Sequence, residues 1–269
     1  MNHPPPDFNI GGLHKLTAID FPGRISALIF TQGCNFHCPY CHNSHLIPFT
    51  TPESAKGPDA TRLASGEVLS FLSKRRGLLG GVVISGGEPC AQAGLEAFCH
   101  EVKAMGFALK LDTNGSRPDV LACLLEKGLL DYVAMDMKAP LILPDTGQNT
   151  RCSGNDGWYY PGICASRGMD NTLAQSMALL ADSPVPHEFR TTCVKPFVTA
   201  ENLALIAEAV AACCTGRKTF PWYLQKATLP DKIAMPEGKE QSLHALPVEI
   251  LRELLPRLAA IVPGVRIRE

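Results

Sequence analysis

Three cysteines, Cys34, Cys38 and Cys41, are separated by three and then two residues within Gly-Cys-Asn-Phe-His-Cys-Pro-Tyr-Cys-His-Asn at 33–43. Just before them, residues 26–31 form an apolar run rich in β-formers that reads as a buried strand. The thiols therefore sit on a loop just past the strand's C-terminal end. Short spacings of this kind let one tight loop wrap a metal centre, because the intervening residues only turn the backbone between ligands. Two metals are compatible with three thiolates. Zinc in a structural site takes four protein ligands; no fourth cysteine is near, so His37, His42 or His45 would have to complete it. A four-iron cluster is usually held by four thiolates. With three supplied, one iron keeps an open position that a bound small molecule can chelate.

The remaining cysteines bear on the same choice. There are eleven in 269 residues, an odd number, and the first residues lack the basic and apolar regions of a signal peptide. A disulfide framework is therefore not expected, and a reducing cytoplasm is the expected location. A formal charge of −1 offers no footprint for nucleic acid. No run of eighteen apolar residues exists to span a membrane. At 45% hydrophobic and 19% charged, the chain suits one large α/β domain or two small ones.

Residues 1–10 read as a disordered, proline-rich tail, and 11–269 as a single domain with a core over about 24–226 and a C-terminal helical extension at 240–262. Residues 11–23 form an opening segment closed by the turn Phe21-Pro22-Gly23. Residues 44–66 read as a long surface loop, either a lid or an interaction segment. Strands and helices then alternate. Helices are expected over 67–76, 91–105, 118–127, 171–180 (capped by Asp170 or Asn171), 201–213 and 247–261. Strands are expected over 81–85, 107–111, 132–137, 188–194 and 222–225, with an edge strand at 265–268. Residues 140–168 are irregular and hold Cys152, Cys164, Trp158 and the Tyr159-Tyr160 pair. Six β-then-α units predict a parallel sheet with right-handed crossovers, too few for a full eight-unit barrel.

Parallel sheets carry their chemistry at strand C-termini, and these ends are polar and glycine-rich. Gly86-Gly87-Glu88-Pro89 ends one strand. The glycines either free the backbone to approach a ligand, with Glu88 facing an ammonium, or simply make a tight strand-to-helix turn. Asp112-Thr113-Asn114-Gly115 and Met135-Asp136-Met137-Lys138 end neighbouring strands. A rim carboxylate needs a cation, a lysine or ligand hydroxyls as partner; alternatively Asp112 caps an Asn-Gly turn. Arg190 lies mid-strand and either contacts a ligand or makes a structural ion pair. Cys90 directly follows the GGEP run as a bystander thiol. Cys213 and Cys214 with Cys152 and Cys164 are spaced too loosely to suggest a second cluster.

The cysteine loop, with Tyr40 as its aromatic, together with the GGEP run resembles the radical S-adenosylmethionine (SAM) superfamily. The opening segment at 11–23 resembles one group within it, the anaerobic ribonucleoside-triphosphate reductase activating proteins. So do Thr31-Gln32-Gly33-Cys34, Val82-Val83-Ile84-Ser85-Gly86-Gly87, Leu111-Asp112-Thr113-Asn114-Gly115 and Tyr132-Val133-Ala134-Met135-Asp136-Met137-Lys138. The resemblance runs from about Gly11 to Gln225. Residues 140–168 look longer and more cysteine-bearing than the group's pattern, and nothing after Lys226 matches it.

The resemblance implies an α/β fold, a partial (β/α)6 barrel open on one side, and one [4Fe-4S] cluster on Cys34, Cys38 and Cys41. SAM would chelate the open iron, and its one-electron cleavage would yield a 5′-deoxyadenosyl radical that takes a hydrogen from a glycine of a partner glycyl radical enzyme. Gly86, Gly87 and Glu88 would meet SAM's amino group, Arg190 its carboxylate or ribose, and Gln225 its adenosine part. Tyr40 and His42 join the cofactor-binding residues, His42 through its backbone more than its ring. Asp112, Thr113 and Asp136 would surround a monovalent cation, with Lys138 near SAM. A one-electron donor such as flavodoxin or ferredoxin is expected. Rival expectations are a radical SAM enzyme acting on a small molecule or peptide, such as a carboxy-deazaguanine synthase, and a non-catalytic zinc module.

Overall fold

The computed structural model describes residues 8–49, 63–141, 163, 169–213, 220–229 and 243–268. Expectations for most of the N-terminal tail, for the 50–62 part of the long loop, for Trp158, Tyr159 and Tyr160, and for Cys152, Cys164 and Cys214 lie outside them. So does the side chain of Cys213.

Nine strands and six helices alternate along the described chain: β1 (Ile10–Thr17), β2 (Ser26–Thr31), α1 (Ser65–Ser73), β3 (Gly81–Gly86), α2 (Leu95–Ala104), β4 (Ala108–Thr113), α3 (Pro118–Glu126), β5 (Tyr132–Asp136), α4 (Met169–Asp182), β6 (His187–Lys195), α5 (Ala200–Cys213), β7 (Trp222–Lys226), β8 (His244–Ala245), α6 (Val248–Ile261) and β9 (Val265–Arg268). Hydrogen bonding follows the order β1-β2-β3-β4-β5-β6-β7-β9, with β8 attached to β6, so among the described residues the two end strands do not pair and the sheet is open. The pairs β2–β3, β3–β4, β6–β7 and β7–β9 are parallel. The six expected β-then-α units are present, in the α/β class with an open, mostly parallel sheet.

The chain divides into two compact units. The first comprises Met1–Asn35, His45–Thr113 and Asp119–Val133; the second comprises Phe36–Ser44, Asn114–Pro118 and Ala134–Glu269. In the first unit, strand alternation sorts side chains onto two faces. Ile29, Ile84, Leu109 and Leu111 share one face and are fully buried, as are Leu72 of α1 and Phe98 of α2, on which Phe8 stacks at 4.6 Å. Each such side chain contributes roughly 1.5–3 kcal/mol by leaving water. The opposite face gathers Phe21, Leu28 and Val83 with Phe30, Ala108 and Tyr132. In the second unit, Phe189, Trp222 and Leu224 are fully buried, and Trp222 Nε1 donates to Thr191 Oγ1 at 3.0 Å.

Four local differences from the sequence expectation have physical causes. The opening segment is a strand, β1, antiparallel to β2; its Gly-Gly start hides the strand signal, and pairing with β2 overrides propensity. Helix α2 begins at Leu95 rather than 91, because Gly94 takes a left-handed φ of +77° and Gln92 folds back onto the preceding turn. Helix α4 begins at Met169, which puts Asp170 in the first turn instead of at the cap, where its charge still favours the helix dipole. The two-residue β8 pairs antiparallel with β6 and is too short to show periodicity.

Candidate functional site

In the first unit, the start of the cysteine loop is gripped from two sides. Gly33 N donates to Leu46 O at 2.7 Å and Cys34 N to Ile47 O at 2.9 Å. From the end of β3, Gly87 N donates to Thr31 O and Glu88 N to Gly33 O, both at 2.9 Å. The buried Gln92 amide adds a bond to Gly33 O at 2.8 Å and another to Glu88 O at 3.1 Å. This contact explains the paired glycines. Gly86 has φ +107°, and a Cβ on Gly87 would stand 2.1 Å from Gly33 O. The GGEP turn thus meets the cysteine loop backbone to backbone.

Glu88 is 1% exposed, and its Oε1 accepts from Cys90 N at 3.0 Å and from Thr113 Oγ1 at 2.7 Å. The expected site residues Glu88 and Thr113 are therefore joined directly. Burial, with Glu88 next to it, pushes the Cys90 thiol well above its ordinary range, which leaves it protonated and unreactive. Asp112 pairs with Lys110, a buried lysine of β4. Sequence reasoning passed over Lys110 as one more strand residue. The available signal was a lysine alternating with leucines two positions before an aspartate.

In the second unit, Cys38 and Cys41 flank a turn closed by Cys41 N donating to Cys38 O at 3.0 Å. The loop is anchored by His37 N donating to Ile163 O at 2.7 Å, by Tyr40 packing on Phe197 with centroids 5.6 Å apart, and by the His42 ring against Thr228 O. The His42 ring is thus engaged with backbone of its own unit. Burial pushes the Cys38 thiol up to about 11; the positive Lys138 opposes this, and Cys41 and Asp136 add to it. A metal bound there would have to displace that proton. None of Cys34, Cys38 and Cys41 is in a disulfide. Among the described residues, no three Cys, His, Asp or Glu side chains are grouped so that they could hold a metal ion.

Asp136 sits between two cations of its own unit: Arg190 Nε at 2.8 Å and Lys138 Nζ at 3.4 Å. Burial alone would raise its carboxyl, but Arg190 and Lys138 outweigh this and hold it at about 2. Arg190 thus makes an ion pair with Asp136. Stability from this pairing is full above about pH 4, where an unfolded aspartate is ionised, and is lost as pH falls through about 2. An Arg190→Met variant should therefore lose less stability than wild type between those pH values, as acid titration followed by circular dichroism would show.

Register places Gln225 of β7 on the same face as Glu188, Arg190 and Thr192 of β6, Tyr223 of β7 and Arg268 of β9. Arg268 clasps Glu188 through both guanidinium ends at 3.0 and 3.1 Å and lies 3.7 Å above the Tyr223 ring. The sequence pointed to Arg190 and Gln225 on this polar face but missed the Glu188–Arg268 clasp, whose partners lie far apart in the chain.

The radical SAM superfamily profile matches residues 28–141. A Methanocaldococcus jannaschii protein named for glycyl-radical enzyme activation is 31% identical over 205 residues, 76% of each chain. The pyruvate formate-lyase-activating enzyme of Staphylococcus epidermidis is 34% identical over 108 residues, covering 39% of this chain and 41% of that one. Among solved structures, QueE from Escherichia coli superposes with a TM-score of 0.51 at 16% identity, over 97% of this chain and 92% of that one.

Proposed function

Because the chain belongs to the radical SAM superfamily, in its glycyl-radical enzyme activating family, we propose that it abstracts a hydrogen atom from a glycine of a partner glycyl radical enzyme, and that the partner is anaerobic ribonucleoside-triphosphate reductase. The observation that carries the activity is the similarity to the Methanocaldococcus jannaschii relative across three-quarters of both chains. The choice of reductase rests on the opening segment at 11–23 and the strand-end motifs.

The donor set suits an iron–sulfur cluster: three reduced thiols within one short loop, two of them on a single backbone turn. Cys34, Cys38 and Cys41 would hold a [4Fe-4S] cluster, which together with SAM supplies the one-electron cleavage needed to break a strong C–H bond. The chain's own residues position and shield the reactants. The bare backbone of Gly86 and Gly87 and the buried carboxylate of Glu88 suit an ammonium. Tyr40, His42, Arg190 and Gln225 are assigned to the remaining parts of SAM, and Lys138 contributes positive charge near its carboxylate. The electron is assigned to a small carrier such as flavodoxin or ferredoxin. No helix among the described residues is long and apolar enough to cross a membrane.

The test is anaerobic incubation of the reconstituted protein with SAM, a reductant and either the reductase or pyruvate formate-lyase, followed by electron paramagnetic resonance. A glycyl radical doublet on the reductase alone is the expected result. A doublet on the lyase alone would change the partner. SAM cleavage with no protein radical on either would overturn the activity in favour of a small-molecule substrate.

A further inference from the structure

Lys110 is 2% exposed and stands opposite Val83 in the β3–β4 register, on the face that carries Phe21, Leu28, Val83 and Ala108. A lysine is rarely buried on an apolar face unless a carboxylate meets it. Here that carboxylate is Asp112, next along the same face of β4, and the ammonium contacts its Oδ1. The other residues that the family resemblance places around a monovalent cation also have partners within their own units. The Thr113 hydroxyl is given to Glu88 at 2.7 Å, and the Asp136 carboxylate is held by Arg190 and Lys138.

We propose that Lys110 takes the place of the monovalent cation: its ammonium is the built-in counter-charge of Asp112, and the protein folds and binds SAM without sodium or potassium. The chemistry permits the exchange. An ammonium is a compact single positive charge with three donors directed at oxygen, so it matches an alkali ion in charge. A sodium or potassium ion beside Asp112 would set two positive charges against one half-buried carboxylate, and their repulsion is less screened there than in open water. Lys110 acts through Asp112 and is a positioning residue. Its role in SAM binding rests on the function proposed above; its role toward the ion does not.

The experiment compares the reconstituted protein in the chlorides of potassium, sodium and tetramethylammonium at one ionic strength, reading the melting midpoint and the SAM dissociation constant. For wild type, the melting midpoint should be the same in all three salts and SAM affinity should change by less than about twofold. Lys110→Met should bind SAM about tenfold more weakly in tetramethylammonium and recover when potassium is added, with a parallel rise in melting midpoint. Lys110→Arg should retain the indifference of wild type. A wild type that melts higher or binds SAM about tenfold tighter in potassium would overturn the proposal, as would a Lys110→Met protein indifferent to the ion. If Lys110→Met does not fold, the wild-type and Lys110→Arg series still decide. If SAM binds in none of the salts, the proposed function fails while the melting series still judges Lys110.

Discussion

Replacing Cys38 by alanine is expected to leave anaerobically reconstituted protein with about a tenth of wild-type iron or less, a loss at least as large as those caused by mutating groups one step removed from a metal. SAM cleavage should fall below detection. The expectation is specific because the substitution removes a sulfur and little else. The turn around Cys38 is closed by backbone atoms, Cys41 N to Cys38 O, and the loop is anchored by His37 N, Tyr40 and His42. The variant should therefore keep the wild-type circular dichroism spectrum. Cys99 and Cys193 make the control. Burial pushes both thiols up to about 12, so they stay protonated and behave as small hydrophobes. Their alanine variants should bind iron as wild type does. A Cys38→Ala protein with unchanged iron would remove the cluster assignment.

The second large effect is expected at Gly87, a residue that would hold no metal. An alanine there places a methyl group 2.1 Å from Gly33 O, an atom that also accepts from Glu88 N and Gln92 Nε2. Backbone cannot rotate aside as a side chain can, so either β3's end or the cysteine loop must shift. Overpacking of this kind costs roughly 1–3 kcal/mol, several degrees of melting temperature for a chain of this size. Because Cys34 directly follows Gly33, iron content should fall as well. Gly106→Ala controls for flexibility alone: that glycine has a positive φ but open space around it. It should lower the melting temperature without changing iron content. A Gly87→Ala protein with full iron and unchanged melting would show that the close approach of the two turns is unimportant.

The parts of the site legible in the sequence are those whose chemistry is local. Cysteine spacing, paired glycines before Glu88, and rim aspartates declare themselves within a few residues, because each motif is one turn of backbone at a strand end. The strands from Ser26, Gly81 and Tyr132 were equally legible, since their apolar runs are buried on both faces. What the sequence concealed depends on contacts between distant segments. Strand β1 is a strand because β2 offers it an edge. Helix α2 starts late because the Gln92 side chain is drawn back to Gly33. Lys110 reads as ordinary until strand alternation sets it beside Asp112 in an apolar face. Arg190 stands out in the sequence as a charge within a strand, but its partner Asp136, 54 residues away, shows only in the folded chain.

The clasp between Arg268 and Glu188 also has a bearing on synthesis. A chain emerging from the ribosome delivers β6 and β7 well before β9. Until Val265–Arg268 arrives, the outer edge of β7 has no neighbour and the carboxylate of Glu188 lacks the guanidinium that satisfies it. An open strand edge is a template for pairing with other chains, and partly folded species that expose one are prone to aggregate. Pairing of β9 is therefore the last step in forming this sheet edge, and until it occurs the nascent protein passes through an interval in which a holdase chaperone has most to protect.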